Sequence, residues 1–183
     1  MKGLPALAYL SLGSNIGDRE HFLCLAIARL ARLGCVTSVS SLYETEPLEF
    51  TEQAWFLNCV VALEVELAPS ELMSSLLRIE EDLGRKRLQK KGPRTIDIDI
   101  LLLGKQVLST PELTIPHPAM HQRRFVLEPL AEIAPVVIHP LLKKTVQELL
   151  GELPSGQSIR RVGSINQRMA NDRRLTTNDL KAR

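Results

Sequence analysis

The chain has 183 residues, 44% hydrophobic and 24% charged, with a net charge of +2, enough for one domain with a sizeable core and ordinary for a soluble globular protein. No apolar run approaches the roughly eighteen residues of a membrane-spanning helix, so no membrane partner is expected. The charge is uneven: residues 157–183 hold seven Lys/Arg against two Asp/Glu, leaving −3 on the first 156, and an acidic body argues against a broad nucleic-acid-binding face.

The opening MKGLPALAYLSLGSN is interrupted by Pro5 and lacks a small-x-small cleavage site, so it reads as a first strand, Ala6 to Gly13, of a cytoplasmic protein. Asp18 can cap a helix with Leu23, Ala26, Ile27, Leu30 and Leu33 on one stripe, stopped by Gly34. A second strand follows over Val36–Thr45, then a polar loop with Pro47, then a third strand over Phe56–Glu66. In that strand Leu57, Cys59, Val61, Leu63 and Val65 share the core face, and Phe56 and Asn58 share the other. Pro69 opens a second helix with the stripe Leu72, Leu76, Ile79 and Leu83, closed by Gly84. A basic loop, a strand around TIDIDILLLG, a short strand pair and a helix near Arg124–Ile133 complete the body. The two strand–helix–strand units predict an α+β, ferredoxin-like domain: a mainly antiparallel sheet with helices packed on one face. Cys24, Cys35 and Cys59 lack metal or disulfide spacing and read as small buried hydrophobes. The basic tail lacks an apolar period and is expected to be mobile, at least beyond about Asn166, with an added strand or a docking arm as the alternatives.

Asp97 and Asp99 carry the sharpest chemical signal. On a strand they share one face, roughly 7 Å apart, with Ile96, Ile98 and Ile100 opposite. Alone, such a pair reads equally as a solvated edge-strand face or as a seat for a hard divalent cation with phosphates. The preceding Gly84–Arg94 segment has six cations and no acid, and no aromatic for base stacking. A compact polyphosphate with magnesium answers both charge signs at once. GxxxxGK[ST] and GxGxxG are both missing, which excludes a P-loop and a Rossmann site. His117 stands between two prolines, with Arg123 and Phe125 following at alternate positions. Alone, His117 reads more readily as a surface or capping residue, and His21, His121 and His139 gain no support from their surroundings.

Together the segments AYLSLGSNIGD, SLYETEPL, FLNCVVALE, RIEEDLGRKR, GPRTIDIDILL and PHPAMHQRRFVLEPLAEIAP resemble those of the 6-hydroxymethyl-7,8-dihydropterin pyrophosphokinase family, over most of residues 6–140. The resemblance implies a magnesium-dependent transferase that moves pyrophosphate from ATP to the pterin hydroxymethyl group and releases AMP, in folate biosynthesis. It implies two Mg2+ ions on Asp97 and Asp99. It also implies triphosphate contacts from Arg85, Arg87, Arg94, His117 and Arg123, with Arg85 and Arg94 nearest the transition state. Glu80, Ile100 and Thr114 would help place the nucleotide. The pterin would stack between Phe56 and Phe125, read by Asn58 and by the backbone around Thr45 and Leu48. Lys91 stands where many relatives carry a tryptophan. On this reading residues 1–156 form the pyrophosphokinase domain and 157–183 the tail. Two rivals remain at this level: a nucleotidyltransferase releasing pyrophosphate, and an RNA- or nucleotide-binding module using the basic loop.

Overall fold

The computed structural model describes residues 5–46, 54–85, 92–154, 156 and 158–165. Strand β1 (Ala6–Ser14) runs into helix α1 (Arg19–Leu30), whose first turn is capped by Asp18 accepting from the His21 amide at 3.0 Å. Strands β2 (Cys35–Val39), β3 (Ser41–Thr45) and β4 (Phe56–Val65) precede helix α2 (Pro69–Asp82), and β5 (Asp97–Leu103) closes a βαββαβ unit whose second strand is broken into β2 and β3. The short pair β6 (Leu108–Ser109) and β7 (Thr114–Ile115), a 3-10 turn over Met120–Gln122, helices α3 (Arg124–Ile133) and α4 (Val146–Glu152), and strand β8 (Ile159–Ser164) follow. The main sheet has the order β5-β1-β4-β3-β8, with β2 also on β4, and every pairing is antiparallel. Without β8 this is the ferredoxin-like arrangement.

The expected second strand is two. Ser40 stands between them, its amide donating to the Val60 carbonyl and its hydroxyl accepting from the Val60 amide, both at 2.9 Å. A side chain thus takes one ladder bond, and the strand bends there. Gly34 also does more than end a helix. A Cβ at that position would lie 2.1 Å from the Glu64 carbonyl oxygen, so the missing side chain lets the connection pass against β4.

Helices cover both faces of the sheet, where one was expected. On the first face Leu10, Leu12, Cys59, Val61, Leu63, Ile98 and Ile100 pack with Leu23, Ala26, Ile27 and Leu30 of α1 and Leu72, Leu76 and Ile79 of α2. On the second, Tyr9, Val60, Ala62 and Leu102 meet Val126, Leu127 and Leu130 of α3 and Val146 and Leu149 of α4. Helix α4 was not foreseen, although Thr145 and Glu148 form a reciprocal capping box at its start of the kind a Thr-x-x-Glu spacing announces. The apolar second layer takes Val60 and Ala62 on this face of β4, and Phe56 is not part of it. The chemistry-bearing residues gather at that end.

Strand β8 pairs along β3 from Thr45↔Ile159 to Ser41↔Ser164, so the sheet takes in residues that a boundary at 156 leaves outside. Its outward arginines are tied down at long range: Arg160 to Glu44 at 2.5 Å, and Arg161 to Ser41 and Glu132. Nothing in its own sequence pattern marks it as a strand. Residues 166–183, where the mobile tail was expected, lie outside the described residues. Among the described residues no helix is long and apolar enough to cross a membrane.

Candidate active site

The antiparallel registers set four residues side by side across the second face: Asp97 on β5, Gly13 on β1, Asn58 on β4 and Tyr43 on β3. One step along, Asp99 lies opposite Ser11 and Phe56 opposite Thr45. A carboxylate strand and an aromatic–amide strand are therefore separated by one strand only, whose residue between Asp97 and Asn58 is a glycine. Cross-strand neighbours on one face have Cβ atoms about 5 Å apart, so the two ends of the row lie within the span of one small ligand. A Cβ on Gly13 would stand 2.8 Å from the Asn58 amide oxygen. The Asn58 amide nitrogen donates to the Thr45 hydroxyl at 2.8 Å, which fixes its orientation.

Two arginines flank the carboxylate end. Arg85 Nη1 lies 2.6 Å from Asp97 Oδ1, and Arg94 Nη1 lies 2.7 Å from Asp97 Oδ2. Arg85 also pairs with Glu80, whose carboxylate accepts from the Ile98 amide at 2.8 Å and is almost wholly buried. Burial raises the Glu80 pKa against the pull of that amide and of Arg85. Arg94 also lies over the Phe56 ring, 5.7 Å from its centroid, so one guanidinium touches both ends of the cleft. Its backbone is clamped by Asn15: the Asn15 amide donates to the Arg94 carbonyl at 3.1 Å, and Asn15 Oδ1 accepts from the Arg94 amide at 2.8 Å. Asn15 Nδ2 donates to the Ala54 carbonyl at 3.3 Å.

Asp99 has a pKa pushed up to about 6 by burial and by the Asp97 carboxylate, with Arg123 and Arg85 opposing. His117 is held down at about 4 by burial and by Arg123. Its ring is therefore neutral at physiological pH, and because Nδ1 accepts from the Ala119 amide at 3.2 Å, its proton sits on Nε2. Arg123 immediately precedes α3 and lies over the Phe125 ring at 5.7 Å.

The donor set fits a hard divalent cation. Asp97 and Asp99 offer only oxygen ligands, and the burial and the Asp97 charge that hold the Asp99 pKa up are both effects that a bound cation would offset. Among the described residues no cluster of three or more His, Cys, Asp or Glu could enclose a metal. The remaining ligands would be waters and phosphate oxygens, the pattern magnesium favours.

The expected residues divide as follows. Thr45, Phe56, Asn58, Glu80, Arg85, Arg94, Asp97, Asp99, His117 and Arg123 are joined by the pairings above, and Phe125 lies against Arg123. Thr114 sits on the β6–β7 pair and packs beside β5. Ile100 turns into the core under α1 and α2, so only its backbone can serve a nucleotide. Leu48, Arg87 and Lys91, with most of the 45–55 and 84–93 loops, lie outside the described residues. Sequence reasoning gave no role to Asn15, Tyr43 or Glu132. The parity of Tyr43 with Thr45 is a signal that could have placed the tyrosine.

Fold and site define a ferredoxin-like domain of the phosphoryl-transfer class, with two arginines on a carboxylate at one end of the site and an aromatic and an amide at the other. The model of the 7,8-dihydro-6-hydroxymethylpterin-pyrophosphokinase (HPPK) family matches residues 9–135, and the chain belongs to that family. The chain is 50% identical over 129 residues to the 2-amino-4-hydroxy-6-hydroxymethyldihydropteridine pyrophosphokinase of Bacillus subtilis (strain 168), covering 69% of this chain and 77% of that protein. It is 42% identical over 147 residues to the protein of the same name from Aquifex aeolicus (strain VF5), covering 80% and 92%. A crystal structure of Plasmodium falciparum HPPK-DHPS A437G superposes with a TM-score of 0.65 at 16% identity, over 82% of this chain and 46% of that one. That likeness shows the shared fold.

Proposed function

We propose that the cleft carries out pyrophosphoryl transfer from ATP to the hydroxymethyl group of 6-hydroxymethyl-7,8-dihydropterin, releasing AMP. The observation that carries this reading is the row Asp97–Gly13–Asn58, which sets a carboxylate with two arginines beside an oriented amide and an aromatic face. The pterin stacks between Phe56 and Phe125, and the Asn58 amide, turned by Thr45, meets its hydrogen-bonding edge. Arg85, Arg94, Arg123 and the Nε2–H of neutral His117 bind triphosphate oxygens, with Arg87 as a further contact. Glu80, Thr114 and the Ile100 backbone help place the nucleotide, and the backbone around Thr45 and Leu48 helps place the pterin.

Asp97 and Asp99 would hold two Mg2+ ions, which supply positive charge against the transferring phosphates. The pterin hydroxyl oxygen forms a bond to the β-phosphorus as the bond from that phosphorus to the α-bridging oxygen breaks. AMP leaves with the bridging oxygen, and the hydroxyl proton passes to solvent or to a carboxylate of the cleft. Positioning and fixed charge supply the acceleration. The protein works in the cytoplasm on these two small molecules, with no nucleic-acid or membrane partner. Residues 1–156 hold the catalytic parts.

The test is nucleotide product analysis with the dihydropterin, ATP and magnesium, beside Asp97→Ala. AMP formed in step with pterin diphosphate, and lost in the variant and on chelation, is the expected result. ADP or free pyrophosphate would overturn it.

A further inference from the structure

The Glu132 carboxylate, near the end of α3, takes an unusual load. Its Oε2 accepts from the Ser41 amide at 2.9 Å and from the Tyr43 hydroxyl at 2.9 Å. Its Oε1 accepts from the Ser41 hydroxyl at 2.7 Å and from Arg161 at 3.2 Å. One side chain thus joins α3, β3 and β8. Tyr43 is buried and lies directly opposite Asn58 on the cleft face. We propose that Glu132 is a positioning residue for the pterin slot, acting through Tyr43 to hold Asn58 in place.

This rests on the reading of Asn58 as a pterin contact. Asn58 has two lateral neighbours: the Thr45 hydroxyl bonded to its amide, and Tyr43 directly opposite it in the strand pairing. The Tyr43 ring is buried, and its hydroxyl is anchored on the Glu132 carboxylate. The electrostatics agree. Although burial opposes it, the bonds from Ser41 and Tyr43 and the charge of Arg161 hold Glu132 ionised below its ordinary range. Burial and Glu132 together push Tyr43 up to about 12, so the tyrosine remains a donor throughout the working range. Arg161 is largely exposed and contributes less, as surface ion pairs do. The described partners of Glu132 do not include Arg85, Arg94, Asp97 or Asp99, so its influence should fall on one substrate.

The experiment uses the full chain and measures both Michaelis constants for Glu132→Ala, Glu132→Gln, Tyr43→Phe, the Glu132→Ala/Tyr43→Phe pair, and Asn58→Ala. Glu132→Ala should raise the pterin KM about tenfold, the weight of roughly one charge-assisted hydrogen bond, with ATP KM and kcat held within about twofold. Glu132→Gln keeps an acceptor oxygen and should recover most of the loss. The pair should be no worse than Glu132→Ala alone, because both changes cut the same link. Additive losses, or ATP and pterin constants rising together, would overturn the proposal. If Glu132→Ala does not fold, Tyr43→Phe decides, and an unchanged pterin KM there overturns it. Asn58→Ala separates the two levels. Unchanged pterin binding in that variant removes the slot reading and this proposal with it. A raised KM there, beside unaffected Glu132 and Tyr43 variants, removes this proposal alone.

Discussion

Gly13→Ala tests the cleft geometry without altering any residue placed against substrate. The added Cβ would stand 2.8 Å from Asn58 Oδ1, so the amide must retreat by roughly half an ångström to reach ordinary contact. Asn58 is only 3% exposed and its amide nitrogen is held by Thr45, which leaves two ways to yield. Forcing the side chain off its rotamer costs about 0.5–1.5 kcal/mol, and giving up the Thr45 bond costs about the same. Either displaces the group proposed to meet the pterin edge, and 1–2 kcal/mol of lost binding is about five- to thirtyfold in affinity. Gly13 has no positive φ, so the backbone accepts alanine, and the gain of about 0.5–1 kcal/mol from removing a strand glycine offsets part of the cost to stability. The expected result is a pterin KM raised by that factor, an unchanged ATP KM and a melting temperature close to that of the parent. Calorimetric titration of pterin in the presence of a non-hydrolysable ATP analogue gives the same answer without turnover. A pterin affinity within twofold of the parent, or a loss confined to ATP, would refute the placement of Asn58 at the pterin edge.

Asp99→Asn should stabilise the ligand-free, metal-free protein at neutral pH while reducing turnover by at least about 100-fold. The folded carboxyl keeps its proton to about 6 and the unfolded one loses it near 3.9. Wild type is therefore penalised progressively as pH rises from 4 to 6, fully above 6 and not at all below 4. The two-unit shift bounds the penalty at about 3 kcal/mol, and about 1 kcal/mol is expected after solvent screening. Urea unfolding of both proteins at pH 4 and 7.5 reads it, and a wild type that gains on the variant with rising pH would reverse the sign. Gly34→Ala meets the Glu64 carbonyl and Val65 Cγ1, at 2.1 and 2.9 Å, where backbone cannot give. It should lower stability by about 2 kcal/mol or more, and an unchanged urea midpoint would show that the α1–β2 connection is free to move.

The cleft was legible where periodicity alone decides direction. Alternation along β4 separated Phe56 and Asn58 from the core, and alternation along β5 did the same for Asp97 and Asp99. The same rule sets Ile100 with Ile98 against the core, which the family resemblance passed over in naming it beside the nucleotide. Local spacing could not reveal the second helical layer, because the uncovered face of β4 and the stripe on α3 meet only in three dimensions. Nor could it reveal the Glu132 cluster, whose bonds to Ser41, Tyr43 and Arg161 span 91, 89 and 29 residues. Strand β8 escaped for a related reason: paired arginines look like a solvated tail until their acidic partners are known.

Asn15 gives the two halves of the cleft a common mooring. Ala54, just ahead of β4, and Arg94, just ahead of β5, are bonded to the same carboxamide. A shift of the Arg94 backbone therefore pulls on the side chain that also holds Ala54, two residues before Phe56. The arginine side and the aromatic side of the site are thus tied through one residue at the tip of β1.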